Sequence, residues 1–263
     1  MFIGIGTVIN VAAIIIGSML GLLVGHRMHE RTRTLMTDVL GCVTLIGAAS
    51  ALKELWADDF LLNVPRGAPV LIVLASLLLG GLLGSWAKIE ERLEAFGVEL
   101  KQRFDSGGSS PFVEGFVTAS LIFVIGPLAI LGSISDGMRS GIDQLVLKSI
   151  LDFFASVAFA AALGWGVAMS ALPVGVYQIA WTAIGAGLGS ILSNAQVAAM
   201  TSTGGVLLLG ISFKLLGIKK IEIGNLLPAL ALAPIFVLLV QIDRKSTRLN
   251  SSHEWISRMP SSA

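Results

Sequence analysis

The sequence predicts an all-α, polytopic integral membrane bundle of about eight spans, with two inverted three-helix repeats (spans 1–3 and 6–8) around spans 4 and 5. Three observations lead there. Only 13% of the 263 residues are charged and 54% are hydrophobic, with a mean hydropathy of +0.85; a soluble domain carries about a quarter charged residues. Apolar runs of about 17 to 24 residues recur, enough to cross a ~30 Å hydrocarbon layer at ~1.5 Å per residue. The small-residue pattern of the first run, Gly17, Gly21 and Gly25, returns at Gly185 and Gly189.

The spans are expected at 3–24, 37–55, 68–87, 112–132, 146–169, 174–192, 200–218 and 225–241. In the first, the glycines recur every fourth position and share one helix face, where a second backbone can approach closely. Nothing basic precedes this span, while Arg27, Arg31 and Arg33 follow it. It is therefore expected to stay as a span rather than be cleaved, with the basic loop cytoplasmic and the N-terminus outside. Alternation of eight spans then puts ten Lys/Arg in the inside loops, among them Lys88, Arg92, Lys214 and Lys219, against four outside. Cys42, the only cysteine, lies in the second apolar run and cannot form an intramolecular disulfide.

After the third span, Trp86, Ile89, Leu93, Phe96, Leu100 and Phe104 recur every three or four positions, and Lys88, Glu90, Glu91, Arg92, Glu94 and Glu99 fill the other face. This spacing predicts an amphipathic helix over 86–104 that either extends span three or lies on the cytoplasmic interface. Ser106 to Pro111 reads as a flexible linker.

Span four carries Gly126-Pro127, a pair expected to kink the helix and free carbonyls near Phe123 for packing, a cavity or an ion. Glu114 stands near its cytoplasmic end, where a carboxylate serves a transport path or simply reaches interfacial water. Span five opens with Lys148 and Asp152 one turn apart, able to pair on one face. That pair either binds protons or cations or serves only to neutralise itself. A turn is expected at Ala171-Leu172-Pro173, because proline restricts its predecessor and opens helices well; without it the count falls to seven. Asn10 and Gln178 fall at matching depths in spans one and six, as interhelical glue or as substrate contacts. Asn225, before Pro228, is expected to cap span eight.

The repeat itself rests on alignment within the chain. An offset of 168 matches Ala12, Ile16, Gly17, Leu20 and Gly21 to Ala180, Ile184, Gly185, Leu188 and Gly189. Span two then matches span seven, with Gly41 and Gly47 on Gly204 and Gly210, and Pro69 and Pro228 open spans three and eight. A displacement of five spans is odd, so the second triplet is inverted, a construction common in secondary transporters. Repeat one covers about 3–87, the central helices 112–169 and repeat two about 174–241, all within one transmembrane domain over 1–243. Residues 244–263 are polar and Ser-rich, resemble translated vector sequence, and are set aside as a non-native tail.

No catalytic constellation, metal-ligand spacing, cofactor motif or P-loop is present, so neither an enzyme nor a self-contained ATP-driven pump is expected. A near-neutral, membrane-buried chain is not expected to bind nucleic acid. The bilayer is the expected partner, along with a small solute or ion, and a homo-oligomer stays open.

Several blocks together resemble the YqgA/YdfK-like family of uncharacterised multi-pass bacterial inner-membrane proteins. They are Gly6-Thr7-Val8-Ile9-Asn10-Val11, Glu114-Gly115-Phe116-Val117-Thr118-Ala119-Ser120, Gly126-Pro127-Leu128-Ala129-Ile130-Leu131-Gly132-Ser133 and Lys148-Ser149-Ile150-Leu151-Asp152. The resemblance covers about 1–243 and implies a cytoplasmic-membrane location and a transport role, with no substrate or catalytic residues to carry over. The leading expectation is a secondary transporter or channel whose path passes Asn10, Glu114, Gly126, Pro127, Asp152 and Gln178. The alternative is a non-transporting scaffold or regulator that uses the 86–104 helix.

Overall fold

The computed structural model describes residues 2–25, 29–104, 111–125, 127–188 and 192–257, with Phe104, Pro127, Leu188 and 244–257 described as backbone. Among these residues the chain is helices and turns, with no strand. Helices α1 (Ile5–Gly25) and α2 (Glu30–Leu52) lead through a 3₁₀ turn (Lys53–Trp56) and short α3 (Asp58–Leu61) to α4 (Ala68–Ala87) and α5 (Ile89–Phe104). Then come α6 (Phe112–Val124), α7 (Pro127–Gly137), α8 (Asp143–Leu163), short α9 (Gly166–Met169), α10 (Ala171–Leu188) and α11 (Asn194–Leu215). A second 3₁₀ turn (Ile223–Leu226) precedes α12 (Pro228–Ser257). Among the described residues, seven helical segments are long and apolar enough to cross a membrane, and an eighth is added if α6 and α7, bent by 63°, count as one broken span.

The packing runs opposite to that of a water-soluble protein. Leu82, Ile46 and Val176 are about 70% exposed on the outside, while Asn10, Gln178, Ser18 and Ser156 are wholly buried inside. Large apolar side chains facing outward suit hydrocarbon as solvent. The main core gathers Phe112, Phe116, Phe123, Phe159 and Ile211; a smaller cluster joins Phe60, Ile72, Ala199 and Val237.

Local sequence explains several boundaries. Ser193 and Gln196 form a reciprocal capping box at the start of α11, and the Gln196 amide also donates to the Pro234 carbonyl of α12 at 3.1 Å. Lys88, in the left-handed region at φ 53°, separates α4 from α5, so the amphipathic helix is an element of its own. Its apolar face packs within the chain: Leu100 is buried and the Phe96 ring meets Phe116 edge-on at 5.9 Å.

Two expectations are corrected. The turn between the fifth and sixth spans falls at Gly164 (φ 84°), and Pro173 sits within the first turn of α10. Glycine tolerates the left-handed backbone there, while a first-turn proline needs no N–H partner. Asn225 caps a different helix: its Oδ1 accepts the Glu90 N–H at 3.0 Å, at the start of α5. Residues 244–257, within the segment set aside as a tail, are helical backbone continuous with α12.

The glycine stripe of α1 faces α8 rather than the sixth span. Gly17, Gly21 and Gly25 lie against the backbone carbonyls of Phe153, Val157 and Ala161. Gly185 lies against the Ile134 carbonyl of α7, and Gly189 is outside the described residues. A side chain at Gly21 would enter the Val157 carbonyl. Gly21→Leu is therefore expected to cost about 1–3 kcal/mol in detergent thermal unfolding. Gly187→Leu, with open space around it, should stay near wild type.

Candidate functional site

The broken helix places the site. Pro127 opens α7 after α6 has ended at Val124, which leaves carbonyls near Phe123 and N–H groups at the start of α7 without intrahelical partners. Gly126, the other half of the pair, lies outside the described residues. Beside the end of α6 stands Lys148, its ammonium 6.0 Å from the Phe123 ring centroid. Lys148 Nζ donates to Asp152 Oδ2 at 2.7 Å, and both side chains are under a tenth exposed. Asp152 is nine residues into α8, about 14 Å from its start, near the middle of a ~30 Å layer.

Contacts between helices fix who stands at that level. Gly6 lies against Leu145 and Gly17 against Ser156, an equal advance along both helices. Thus α1 and α8 run side by side in the same direction, and Asn10 is level with Ser149, between Lys148 and Asp152. Val11 lies against Gly175, whereas the Thr182 carbonyl meets Gly137 near the start of α1, so α10 runs antiparallel to α1. Gln178 falls within about a turn of Asn10.

Asn10 and Gln178 share a property that sets them apart. Neither carboxamide has a hydrogen-bond partner among the described residues, and the same holds for the hydroxyls of Thr7, Ser18, Thr118, Ser156 and Thr182. Elsewhere, buried Ser76, Ser120, Ser133, Ser202 and Thr203 each donate to the carbonyl four residues back. These amides and hydroxyls belong to α1, α6, α8 and α10; the other buried side-chain group without a partner among the described residues, Arg33 Nε, is on α2. From Thr7 to Ser18 the amides and hydroxyls extend along about 16 Å of α1. Buried polar groups are normally bonded, so this line of donors and acceptors points to polar occupants.

One end of the line meets a cavity, and two further cavities at the basic end are lined by none of these amides and hydroxyls. An apolar groove of about 640 Å³ between α1 and α10 includes Thr7 and Thr182 in its lining. At the basic end, exposed Glu114 lines two cavities: one of about 430 Å³ with Glu90, Glu94, Glu222, Lys214 and Lys220, and one of about 690 Å³ with Glu30, Arg33 and Asp38.

The architecture and these residues can be set beside known proteins. The profile of a family described as "Protein of unknown function (DUF554)" matches residues 5–238. The chain belongs to the DUF554 family. It is 31% identical over 236 residues to "Uncharacterized protein YqgA" of Escherichia coli (strain K12), covering 87% of this chain and 94% of that protein. It is 27% identical over 235 residues to "Uncharacterized membrane protein YdfK" of Bacillus subtilis (strain 168), covering 89% of this chain and 96% of that protein. No solved structure matches. With its apolar spans and a relative described as a membrane protein, this DUF554 protein is a multi-pass membrane protein.

The structure brings Asn10, Gln178, Lys148, Asp152 and the break before Pro127 to one region, and puts Glu114 at the basic mouth instead. Two further acids take tertiary roles that spacing does not reveal. Asp136, at the end of α7, accepts the N–H groups of Gly4 at 3.2 Å and Gly6 at 2.9 Å, holding a carboxylate on the first turn of α1. Glu90, in α5 outside the spans, accepts the Gly224 N–H and lies 3.7 Å from Lys214 Nζ. Among the described residues, no group of three or more His, Cys, Asp or Glu is arranged to hold a metal.

Burial raises the Glu90 carboxyl above its ordinary value of 4.5; the Gly224 N–H and the Lys214 ammonium pull it down, and Glu94 and Glu222 push it up. A carboxyl raised on folding adds stability that is full below 4.5 and is lost as pH rises through its folded value. Glu90→Gln should therefore melt above wild type at pH 8, with the gap closing toward pH 4.5. A Glu90→Gln variant that melts below wild type at pH 8 would show that the Lys214 contact outweighs burial.

Proposed function

We propose that this DUF554 protein is a secondary transporter or channel for a small solute or ion in the bacterial cytoplasmic membrane. The observation that carries the reading is the line of buried, unpartnered polar side chains beside a helix broken within the bundle. Non-helical backbone at membrane depth is tolerated where protein buries it or where it borders a water-filled cavity, and discontinuous helices often form transporter sites. The inverted-repeat reading draws support from pairings across the proposed halves: α2 packs on α11, α4 on α12, and α1 on α10. The N-terminus is placed outside, with the Lys214 and Glu114 end cytoplasmic. Labelling of Met28→Cys exclusively from outside, in a Cys42→Ser background, would reverse that orientation.

No catalytic step is assigned. The scaffold alternative has less to work with, because α5 packs Leu100 and one edge of Phe96 into the chain, leaving parts of Phe96 and Val98 exposed beside its charged side. The test of transport is flux into liposomes carrying the purified full chain, under imposed solute and ion gradients. Movement above that of empty liposomes supports the reading; none of either kind ends it.

A further inference from the structure

We propose that the buried line conducts small uncharged polar solutes, of the polyol or amide kind, and excludes ions of either sign. This rests on the reading of the line as a transport path and names what the path accepts. Its unpartnered groups are two carboxamides, Asn10 and Gln178, and the hydroxyls of Thr7, Ser18, Thr118, Ser156 and Thr182. Each carboxamide presents both donors and an acceptor, and each hydroxyl can do either. Such a lining replaces, partner for partner, the water around a solute that itself carries hydroxyl or amide groups.

An ion finds no equivalent compensation. The two formal charges at this level, Lys148 and Asp152, are 2.7 Å apart and cancel. A cation that reaches the carboxylate also meets the ammonium, and an anion meets the reverse. The half-helix ends at the break repeat this balance, with carbonyls closing α6 and N–H groups opening α7. Desolvating an ion costs far more than desolvating a neutral solute. Channels that select neutral molecules rely on lining hydrogen-bond groups and on an electrostatic barrier to ions; here the barrier is the uncompensated cost of ion desolvation.

The experiment uses the full chain in proteoliposomes. Entry of glycerol and of urea is followed by stopped-flow light scattering, and potassium and chloride fluxes are measured in parallel under imposed membrane potentials. Glycerol or urea entry above empty liposomes, unchanged by potential, is the expected result. Gln178→Leu should lower it about tenfold, the worth of a lost solute hydrogen bond; Thr118→Val provides a second, milder variant if that protein fails to fold. Ion flux without solute flux overturns the solute class but leaves the transport reading standing. Neither flux overturns both. Solute entry that neither variant lowers, in protein that folds, removes this line from the path.

Discussion

Asp152→Leu is expected to destabilise the protein by about 3–5 kcal/mol, because it strands the Lys148 ammonium inside the bundle without its partner. Lys148 is only 6% exposed, and Asp152 is its one charged contact within 4 Å among the described residues. Adding Lys148→Met should recover most of the loss, since replacing a whole buried pair with apolar side chains is often neutral or better. Thermal unfolding of both single variants and the double variant in detergent forms the cycle. A double variant as unstable as Asp152→Leu alone would mean that the ammonium was never the problem. Flux through the double variant then separates stability from transport: the apolar pair offers an ion no more compensation than the neutralised one, so the folded double variant should still exclude ions while passing neutral solutes.

Asn10→Leu should move stability and function in opposite directions. The Asn10 carboxamide is wholly buried and neither end has a protein partner among the described residues, so its removal breaks no hydrogen bond within the protein and spares the burial of an amide. A gain of about 1–3 kcal/mol is expected, provided the site accommodates leucine, which has the same branching as asparagine but a larger volume. Solute flux should fall in the same protein. These opposite signs separate the two roles that an amide between helices can play. If Asn10 held helices together, its loss would lower the melting temperature, and flux would fall only because the bundle had loosened. A stability gain accompanied by lost flux is the pattern of a group kept for what passes it.

Much of this was legible from local signals. Apolar runs place the long helices because each can satisfy its backbone internally, and the Lys148–Asp152 pair follows from a spacing of four on one helix. The depths of Asn10 and Gln178 could be matched by aligning the sixth span with the first. What stayed hidden was tertiary. Asp136 sits in Ser135-Asp136-Gly137 at a span end, where a carboxylate reads as solvated; its partners Gly4 and Gly6 lie far away in the sequence. Glu90 looked like one more charge on an amphipathic helix, yet it turns inward to Gly224 and Lys214. Gly164 made the turn expected at Pro173, since nothing local marks it among the 30 glycines of the chain, five of which take positive φ among the described residues. The glycine stripe of α1 announced a close neighbour without saying which, and the neighbour proved to be α8.

That stripe also constrains how the bundle can move. Along Gly17, Gly21 and Gly25, α1 meets the backbone of α8, and at Gly137 and Gly185, α7 and α10 meet each other's backbone in the same way. Prising either couple apart would open a void where main chains now touch, which close-packed interiors resist. Mechanically the bundle therefore contains two stiff rods: α1 with α8, and α7 with α10. The unpartnered amides of Asn10 and Gln178 sit one on each rod. Asp136 ties α7 to the first turn of α1 and so pins the rods together at one end. With that pin closed, any relative motion swings widest at the far end, where Glu114 and the basic side chains stand.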